Sequence, residues 1–134
     1  MKAVLQRVSS ASVRIGDEVV GKIGQGLAVL LGVVDGDGVE EADFLAEKAA
    51  NLRIFGDEQG KMNRSLLDIG GGMLVVSNFT LCADTRHGRR PSFTGAAGPK
   101  TADSLYLRFV AAVKDTGVHV CADRSFWCGY ARFH

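Results

Sequence analysis

The sequence predicts a mixed α/β fold in a single small domain, with a mixed β-sheet curled towards a barrel and two main helices packed on it. Two observations predict this class. Short apolar or alternating runs, bounded by glycine-containing turns, precede, separate and follow two stretches with helical spacing. The length of 134 residues suits one domain that buries a core without disulfides or metal. We therefore treat residues 1–134 as one domain.

The first part of the chain predicts four strands. Lys2 to Val8 is rich in apolar residues, and Ala11 to Ile15 alternates apolar and polar side chains. A Gly-Asp-Glu turn leads to a hairpin partner over Val19 to Ile23. Leu27 to Val34 is almost wholly apolar, which is typical of a strand that is buried on both faces.

Helical spacing predicts the first helix over Glu40 to Leu52. The residues that fall at steps of three and four in this stretch are Phe44, Leu45, Lys48, Ala49 and Leu52. A short extended piece, Arg53 to Phe55, follows the helix, and the glycine run Gly70 to Gly72 is interpreted as a turn because it lacks the Lys-Ser/Thr ending of a P-loop.

The last part of the chain predicts a buried strand over Met73 to Asn78 and a long loop that ends at Pro99. A second amphipathic helix is predicted over Thr101 to Lys114, and Gly117 ends it. Val118 to Cys121 is predicted to be a final short strand. The inner face of the second helix is expected to carry Leu105, Phe109, Ala112 and Val113.

Composition narrows the functional classes. The net charge of +1 does not favour binding of a polyanion by the whole molecule, so any nucleic-acid contact needs a local patch. No apolar run approaches the roughly 20 residues of a membrane span, and the first residues lack the pattern of a signal peptide, so we expect a cytoplasmic protein without membrane contact. Three irregularly spaced cysteines, Cys82, Cys121 and Cys128, argue against a disulfide framework.

Polar side chains follow the predicted strand that begins at Met73, in the order Ser77, Asn78, Phe79 and Thr80. Ser77 and Thr80 are candidate hydroxyl nucleophiles, but such a nucleophile needs a neighbouring base, and no histidine or aspartate stands at a recognisable spacing. The alternative is that the two hydroxyls cap the strand and bind loop amides. The spacing leaves both interpretations open.

A dense basic cluster follows, formed by Arg86, Arg89 and Arg90. Arginine forks suit phosphate oxygens, so the cluster is a candidate nucleic-acid contact, although charge runs are more often solvated loops. Phe79 and Phe93 flank the cluster; exposed, either could stack on a nucleobase, and buried, either would belong to the core.

A metal site is not predicted. Cys121, Cys128 and His134 match no standard zinc spacing, so a metal-binding module rests on the cysteines alone.

Taken together, the segments that begin MKAVLQRVSSASVRIGDEVVGKIG and AEKAANLRIFGDEQGKMNRSLLDIGGGMLVVSNFTLCADTRHGRRPSF resemble the D-aminoacyl-tRNA deacylase family. The resemblance covers about Met1 to Val120. It implies hydrolysis of the ester between a D-amino acid and the 3′-terminal adenosine of tRNA, a homodimer with active sites at its interface, and no metal or organic cofactor.

The resemblance also implies roles for particular residues. The family signature Ser-Gln-Phe-Thr maps onto Ser77 to Thr80, with Asn78 in place of the usual Gln. Thr80 is the family's candidate nucleophile, but backbone amides of the segment, assisted by the ribose 2′-hydroxyl, are the favoured participants. Arg7 resembles the arginine that braces a loop carrying the family's second signature.

That second signature, Asn-x-Gly-Pro-Val-Thr, is absent from the 134 residues, and the Gly-Pro pair at Gly98-Pro99 is interpreted as a helix start. Residues 121–134 are atypical of the family. Our hypothesis is a frameshift near Ala122 to Ser125, and the alternative is a divergent tail. Because the Gly-Pro loop excludes L-amino acids in the family, the functional alternative is an impaired or inert protein that still binds tRNA ends.

Overall fold

The computed structural model describes residues 1–122. The order of elements is β1 (Lys2–Val8), β2 (Ala11–Ile15), β3 (Glu18–Ile23), β4 (Gly26–Gly32), α1 (Val39–Asn51), β5 (Phe55–Gly56), β6 (Met62–Arg64), α2 (Leu66–Ile69), β7 (Gly72–Ser77), a 3₁₀ helix (Phe79–Cys82), α3 (Pro99–Asp115) and β8 (His119–Cys121). The predictions for residues 123–134 lie outside the described residues.

The main sheet is mixed, with strand order β1-β4-β7-β8. Strand β1 runs antiparallel to β4, whereas β7 runs parallel to both β4 and β8. Strands β2 and β3 form a separate hairpin, as do β5 and β6. The predicted mixed α/β class is confirmed. Over the described residues the sheet is open, with β1 and β8 at its edges, and it does not close into a barrel.

The core lies between one face of the main sheet and the two long helices. Strand β4 buries Leu27, Val29 and Leu31 completely, because alternate side chains of a strand point to the same face. Helix α3 buries Leu105, Phe109 and Val113 of its predicted face, and Ala112 is partly buried. The buried residues of the sheet and of both helices form one continuous hydrophobic cluster.

The helical spacing in α1 identifies its buried face only in part. Ala49 is buried and Leu45 packs against the core, but Phe44 is 66% exposed and all the fully buried residues of the helix are alanines. Small side chains allow the helix to approach its neighbours closely, so the alanine stripe faces the core although Phe44 is the more hydrophobic residue. On the exposed side, Arg108 of α3 forms a two-point ion pair with Asp43, at 2.8 and 2.9 Å. The buried stripe of α1 consists of Ala42, Ala46, Ala49 and Ala50.

The loop after β4 is held by the amino terminus and by the loop before α3. The Met1 amino group contacts the Asp37 carboxylate at 2.7 Å, and the same oxygen accepts a hydrogen bond from the backbone N–H of Val34. Asp35 donates to the carbonyl of Gly95 at 2.8 Å. These contacts fix the segment that lies beside the end of β7. None of the helices within residues 1–122 has the length and apolar character needed to cross a membrane.

A buried hydrogen bond joins α3 to β7. The Tyr106 hydroxyl donates to the carbonyl oxygen of Val75 at 2.9 Å, and the tyrosine side chain is 1% exposed. Over the described residues, strand β8 pairs with residues 72–74 of β7. Tyr106 therefore contacts β7 beyond this pairing, two residues before Ser77.

We predict that Gly26→Ala strongly destabilises the fold. A Cβ atom at Gly26 would lie 1.8 Å from the carbonyl oxygen of Gly72, its partner in the parallel β4–β7 pair, so the two strands would have to separate. We expect the free energy of unfolding, measured by urea denaturation, to fall by about 3 kcal/mol or more. Gly24→Ala is the matched control because nothing lies within 4 Å of its Cβ position. Equal stability of the two variants would contradict this account of the β4–β7 pair.

Candidate active site

The polar segment that follows β7 is anchored to the end of β4. Ser77 is buried at 6% exposure, and the backbone N–H of Asn78 donates to the carbonyl of Leu31 at 2.8 Å. The chain then turns into the 3₁₀ helix, with Asn78 as its N-cap. Asparagine favours this position because its short side chain can reach the amide two residues ahead.

The Asn78 side chain takes both hydrogen-bond donors of Thr80. Its Oδ1 atom accepts from the Thr80 backbone N–H at 3.0 Å and also from the Thr80 hydroxyl. A neutral amide oxygen is not a base at ordinary pH, so this contact does not activate the hydroxyl as a nucleophile. The capping that the sequence suggested for Ser77 and Thr80 is performed by Asn78.

Close packing fixes the 3₁₀ helix against β4. A Cβ atom at Gly32 would lie 3.0 Å from Cβ of Leu81 and 3.1 Å from the carbonyl oxygen of Asn78. The Cys82 thiol contacts the carbonyl of Val33 at 3.5 Å, and burial raises the pKa of this thiol. Cys82 therefore packs as a neutral group, and the position of the 3₁₀ helix is set by the end of β4.

Phe79 and Phe93 contact each other. Their ring centroids are 4.9 Å apart and their planes make an angle of 72°, which is an edge-to-face pair. The sequence left open whether each ring is exposed or belongs to the core. Both side chains are half-buried, so neither is a fully buried core residue. The pair ties the 3₁₀ helix to the loop that follows it.

The basic cluster lies on an exposed loop with a closed base. Asp84 and Ser92 exchange two backbone hydrogen bonds, at 2.6 and 2.8 Å. We call the intervening residues 85–91 the basic finger; Gly88 supplies its left-handed turn, with φ of 70°. The structure thus gathers the predicted arginines on one projecting loop beside the 3₁₀ helix.

The three arginines are not equivalent. The guanidinium of Arg86 lies across the Asp84 carboxylate, with contacts of 3.0 and 2.8 Å. Hydrogen bonds from the Arg86 side chain and backbone hold the pKa of Asp84 at about 2, and the same pair raises the pKa of Arg86. Arg89 and Arg90 are exposed and form no ion pair within residues 1–122. They are the cations available to a ligand.

A cleft of about 400 Å³ lies at the base of the basic finger. Lys2 reaches it because β1 pairs Lys2 with Gly32, so residues far apart in the sequence meet beside the 3₁₀ helix. Lys2 was not predicted as a site residue because it is distant in sequence from the other residues of the cleft. Only the register of β1 on β4 brings it there. Two further clefts, of about 420 and 440 Å³, flank Phe44 on α1 and contain none of the predicted site residues. The cleft at the finger is lined by Lys2, Val34, Cys82, Ala83, Asp84, Thr85, Arg86 and Gly95.

Arg7 is not brought to this site within one chain. It pairs with Leu27 at one end of β4, whereas the carbonyl that holds Asn78 belongs to Leu31, four positions further along. At about 3.4 Å per residue this separates the two backbone positions by about 14 Å. The Arg7 guanidinium donates to the carbonyl of Ile54 at 2.9 Å.

No group of three or more histidine, cysteine, aspartate or glutamate side chains that could hold a metal ion occurs within residues 1–122. Cys121 is described and half-buried, but Cys128 and His134, considered with it in the sequence, lie outside the described residues.

Comparison with known proteins gives consistent matches. The family model described as D-Tyr-tRNA(Tyr) deacylase matches residues 4–127. A D-aminoacyl-tRNA deacylase of Roseiflexus sp. (strain RS-1) is 62% identical over 124 residues, which cover 92% of this chain and 80% of the relative. One from Symbiobacterium thermophilum is 56% identical over 120 residues, covering 90% and 80%.

Solved structures agree with this fold. The structure titled c-Myc DNA Unwinding Element Binding Protein superposes with a TM-score of 0.84 at 36% identity, covering 92% of this chain and 85% of the other. A structure titled as a probable eukaryotic D-amino acid tRNA deacylase has a TM-score of 0.72 at 22% identity, covering 87% and 68%. At that identity the second likeness shows the fold alone.

We predict that Arg86→Gln raises the pKa of Asp84 from about 2 towards its ordinary value of 3.8. Since the folded-state pKa is depressed, the pair contributes stability that is present above pH of about 4 and is lost as the pH falls towards 2. A carbon-detected NMR titration of the Asp84 carboxyl measures both values. Arg90→Gln is the control, and we expect it to leave the midpoint unchanged. A wild-type midpoint near 3.8 would show that the ion pair does not persist in solution.

Proposed function

The chain belongs to the D-Tyr-tRNA(Tyr) deacylase family, which makes it an ester hydrolase, and from that premise we propose that it hydrolyses the ester between a D-amino acid and the 3′-terminal adenosine of tRNA. The observation that carries the proposal is the 62% identity to a D-aminoacyl-tRNA deacylase over 124 residues. That match is supported by the polar segment Ser77 to Thr80, which β4 and β7 hold beside a basic finger.

In the proposed reaction, water adds to the ester carbonyl carbon, and negative charge develops on the carbonyl oxygen. The bond between that carbon and the ribose 3′-oxygen then breaks, the ribose oxygen takes a proton, and the free D-amino acid and uncharged tRNA leave. Backbone N–H groups of the Ser77–Thr80 segment, that of Thr80 first, stabilise the developing charge. The ribose 2′-hydroxyl of the RNA assists the proton transfers, so the protein needs no metal or organic cofactor.

The proposed catalytic segment works through its backbone. The Thr80 hydroxyl donates to the Asn78 amide and has no base beside it in the described residues, which supports the amide interpretation over the nucleophile interpretation. Ser77 is buried, so we assign it to holding the end of β7. Phe79 forms one side of the aromatic pair, where a terminal nucleobase could stack on it.

The basic finger is the proposed contact for the tRNA acceptor end. Arg89 and Arg90 are exposed for phosphate oxygens, while Arg86, paired with Asp84, shapes the base of the finger. The cleft lined by Lys2 lies between the finger and the 3₁₀ helix. We propose that the terminal nucleotides follow this surface to the Ser77–Thr80 segment.

We further propose a cytoplasmic homodimer that acts in translation quality control by recycling mischarged tRNA. The position of Arg7 is consistent with a second subunit. Along β1 it lies about 14 Å from the residue that pairs with Leu31, beside which the Ser77–Thr80 segment begins. We therefore propose that Arg7 contributes to the site of the partner subunit and not to that of its own chain.

The alternative function is binding of tRNA ends without hydrolysis. It rests on the expectation that residues 121–134 are atypical of the family. On this alternative, D-Tyr-tRNA binds and is not cleaved. If cleavage occurs but L-Tyr-tRNA is cleaved as well, the chain is a deacylase with impaired selectivity.

The test is hydrolysis of D-Tyr-tRNA and L-Tyr-tRNA by the wild type and by Thr80→Val, with tRNA binding measured in parallel. We expect the wild type to cleave the D form and Thr80→Val to keep at least about a tenth of kcat, because the variant removes the hydroxyl and leaves the backbone N–H. If the hydroxyl were the nucleophile, kcat would fall by about 10⁴-fold or more. Retained binding without cleavage in the wild type would favour the alternative function.

We also predict that replacing Arg89 and Arg90 together with alanine lowers kcat/KM for D-Tyr-tRNA by about 10- to 100-fold at low salt. Because two phosphate contacts are lost, the dependence of binding on salt becomes shallower by a slope of about 1.4. Hydrolysis of D-tyrosyl-adenosine, which lacks the upstream phosphates, should be unchanged. The double variant of Arg14 and Lys48 removes the same charge elsewhere and serves as the control. An equal loss on both substrates would exclude a phosphate contact.

A further inference from the structure

One side-chain oxygen of the candidate site accepts two hydrogen bonds from the same residue. Oδ1 of Asn78 accepts from the Thr80 N–H at 3.0 Å and from the Thr80 hydroxyl. This oxygen is the carbonyl oxygen of a side-chain amide, with the same planar geometry and the same acceptor character as the carbonyl oxygen of an ester. The protein therefore supplies its own ligand to the donors that the proposed function assigns to the substrate.

A backbone N–H has a single proton to donate. The Thr80 N–H makes an ordinary hydrogen bond to Oδ1 of Asn78, with 3.0 Å between nitrogen and oxygen. If a second acceptor shared this proton, both hydrogen bonds would have poorer geometry. An ester oxygen that binds this N–H must therefore replace Oδ1 of Asn78. The conflict is steric as well, because both oxygens need the same position near the amide.

Resting on the proposed function, we propose that the Asn78 side chain occupies the oxyanion position in the unliganded chain and must turn away before the substrate carbonyl can bind. Asn78 is thus a gating residue for the hydrolysis, and substrate binding includes an exchange of one carbonyl oxygen for another. The cost of that exchange appears as a lower kcat/KM.

The backbone of Asn78 has contacts of its own that do not involve the side chain. The backbone N–H of Asn78 is held by Leu31, and its carbonyl oxygen lies against the Cβ position of Gly32, so the main chain is fixed. The side chain is half-buried and reaches Thr80 as an N-cap contact. In the proposed exchange, rotation about the Cα–Cβ bond of Asn78 uncovers the Thr80 donors and does not require the backbone contacts to β4 to break.

The length of the side chain decides how well it fills the position. An asparagine oxygen reaches the amide two residues ahead, whereas glutamine, one methylene longer, is not among the favoured N-cap residues. Asn78→Gln therefore keeps the amide group and weakens the cap. An aspartate at the same position would cap as well as asparagine but would bind the donors more strongly and repel an oxyanion.

The experiment compares Asn78→Ala, Asn78→Gln and Asn78→Asp on D-tyrosyl-adenosine, with the melting temperature of each variant. We expect Asn78→Ala to raise kcat/KM by up to about tenfold, the equivalent of one ordinary hydrogen bond, while its melting temperature falls. Asn78→Gln should lie between wild type and Asn78→Ala. Asn78→Asp should lower kcat/KM at least tenfold with its melting temperature unchanged.

A purely structural cap gives the opposite pattern. Asn78→Ala would then lose activity and stability together, and Asn78→Asp would match the wild type in both; either result overturns the proposal. Asn51→Ala is the matched control, since its side chain donates to the carbonyl of Glu47 at the exposed end of α1. We expect no change in kcat/KM from that variant.

Binding of a non-hydrolysable analogue, D-tyrosine joined to 3′-amino-adenosine by an amide, separates this inference from the proposed function. If the wild type cleaves nothing, the proposed hydrolysis fails, yet tighter binding of the analogue to Asn78→Ala than to wild type would still support the gate. We expect NMR signals of the Thr80 amide and of the Asn78 side-chain NH₂ to shift together on binding. Unchanged affinity in Asn78→Ala, or an Asn78 signal that does not move, would overturn the gate.

Discussion

The parallel pairing of β4 with β7 is the constraint on which the rest of this structure depends. Gly26 and Gly72 stand opposite each other with their backbones too close for a Cβ atom at Gly26, which fixes the start of the pair. The pairing ends where Leu31 accepts from Asn78, which fixes the point at which the polar segment leaves the sheet. Helices, hairpins and the basic finger are arranged around this pair, and the candidate site is its continuation.

The sequence predicted the elements whose own pattern decides their structure. The largely apolar runs of β4 and β7 predicted buried strands. The spacing of bulky residues predicted α3 and part of its buried face, but not the burial of Tyr106 and Val110. The buried face of α1 could be found only in part in this way, because packing distance favoured four alanines over a phenylalanine. Helix α2 was also missed; its signal was the reciprocal capping of Ser65 and Asp68, which a four-residue helix hides.

The candidate site was predicted in its chemistry and only in part in its geometry. The hydroxyl, amide and arginine side chains around Ser77 to Arg90 are adjacent in sequence, and their local contacts follow from short-range turn chemistry. Lys2 and Gly32 join the site through the register of β1 on β4, which sequence order alone does not give. The pairing of Arg86 with Asp84 divides the arginine cluster into one structural and two available cations, a distinction that composition cannot make.

The topology of the main sheet also has a consequence for how the protein folds. The pairing of β7 with β4 places residue 72 beside residue 26, and the pairing of β8 with β7 places residue 119 beside residue 72. Each parallel pairing therefore closes a long loop of chain. Such non-local pairings form slowly and late in folding. Asn78 takes its place only when β7 has docked on β4, so the polar segment cannot be ordered before the loop between these two strands has closed. The donors of the candidate site are therefore aligned by the same step that forms the parallel pair.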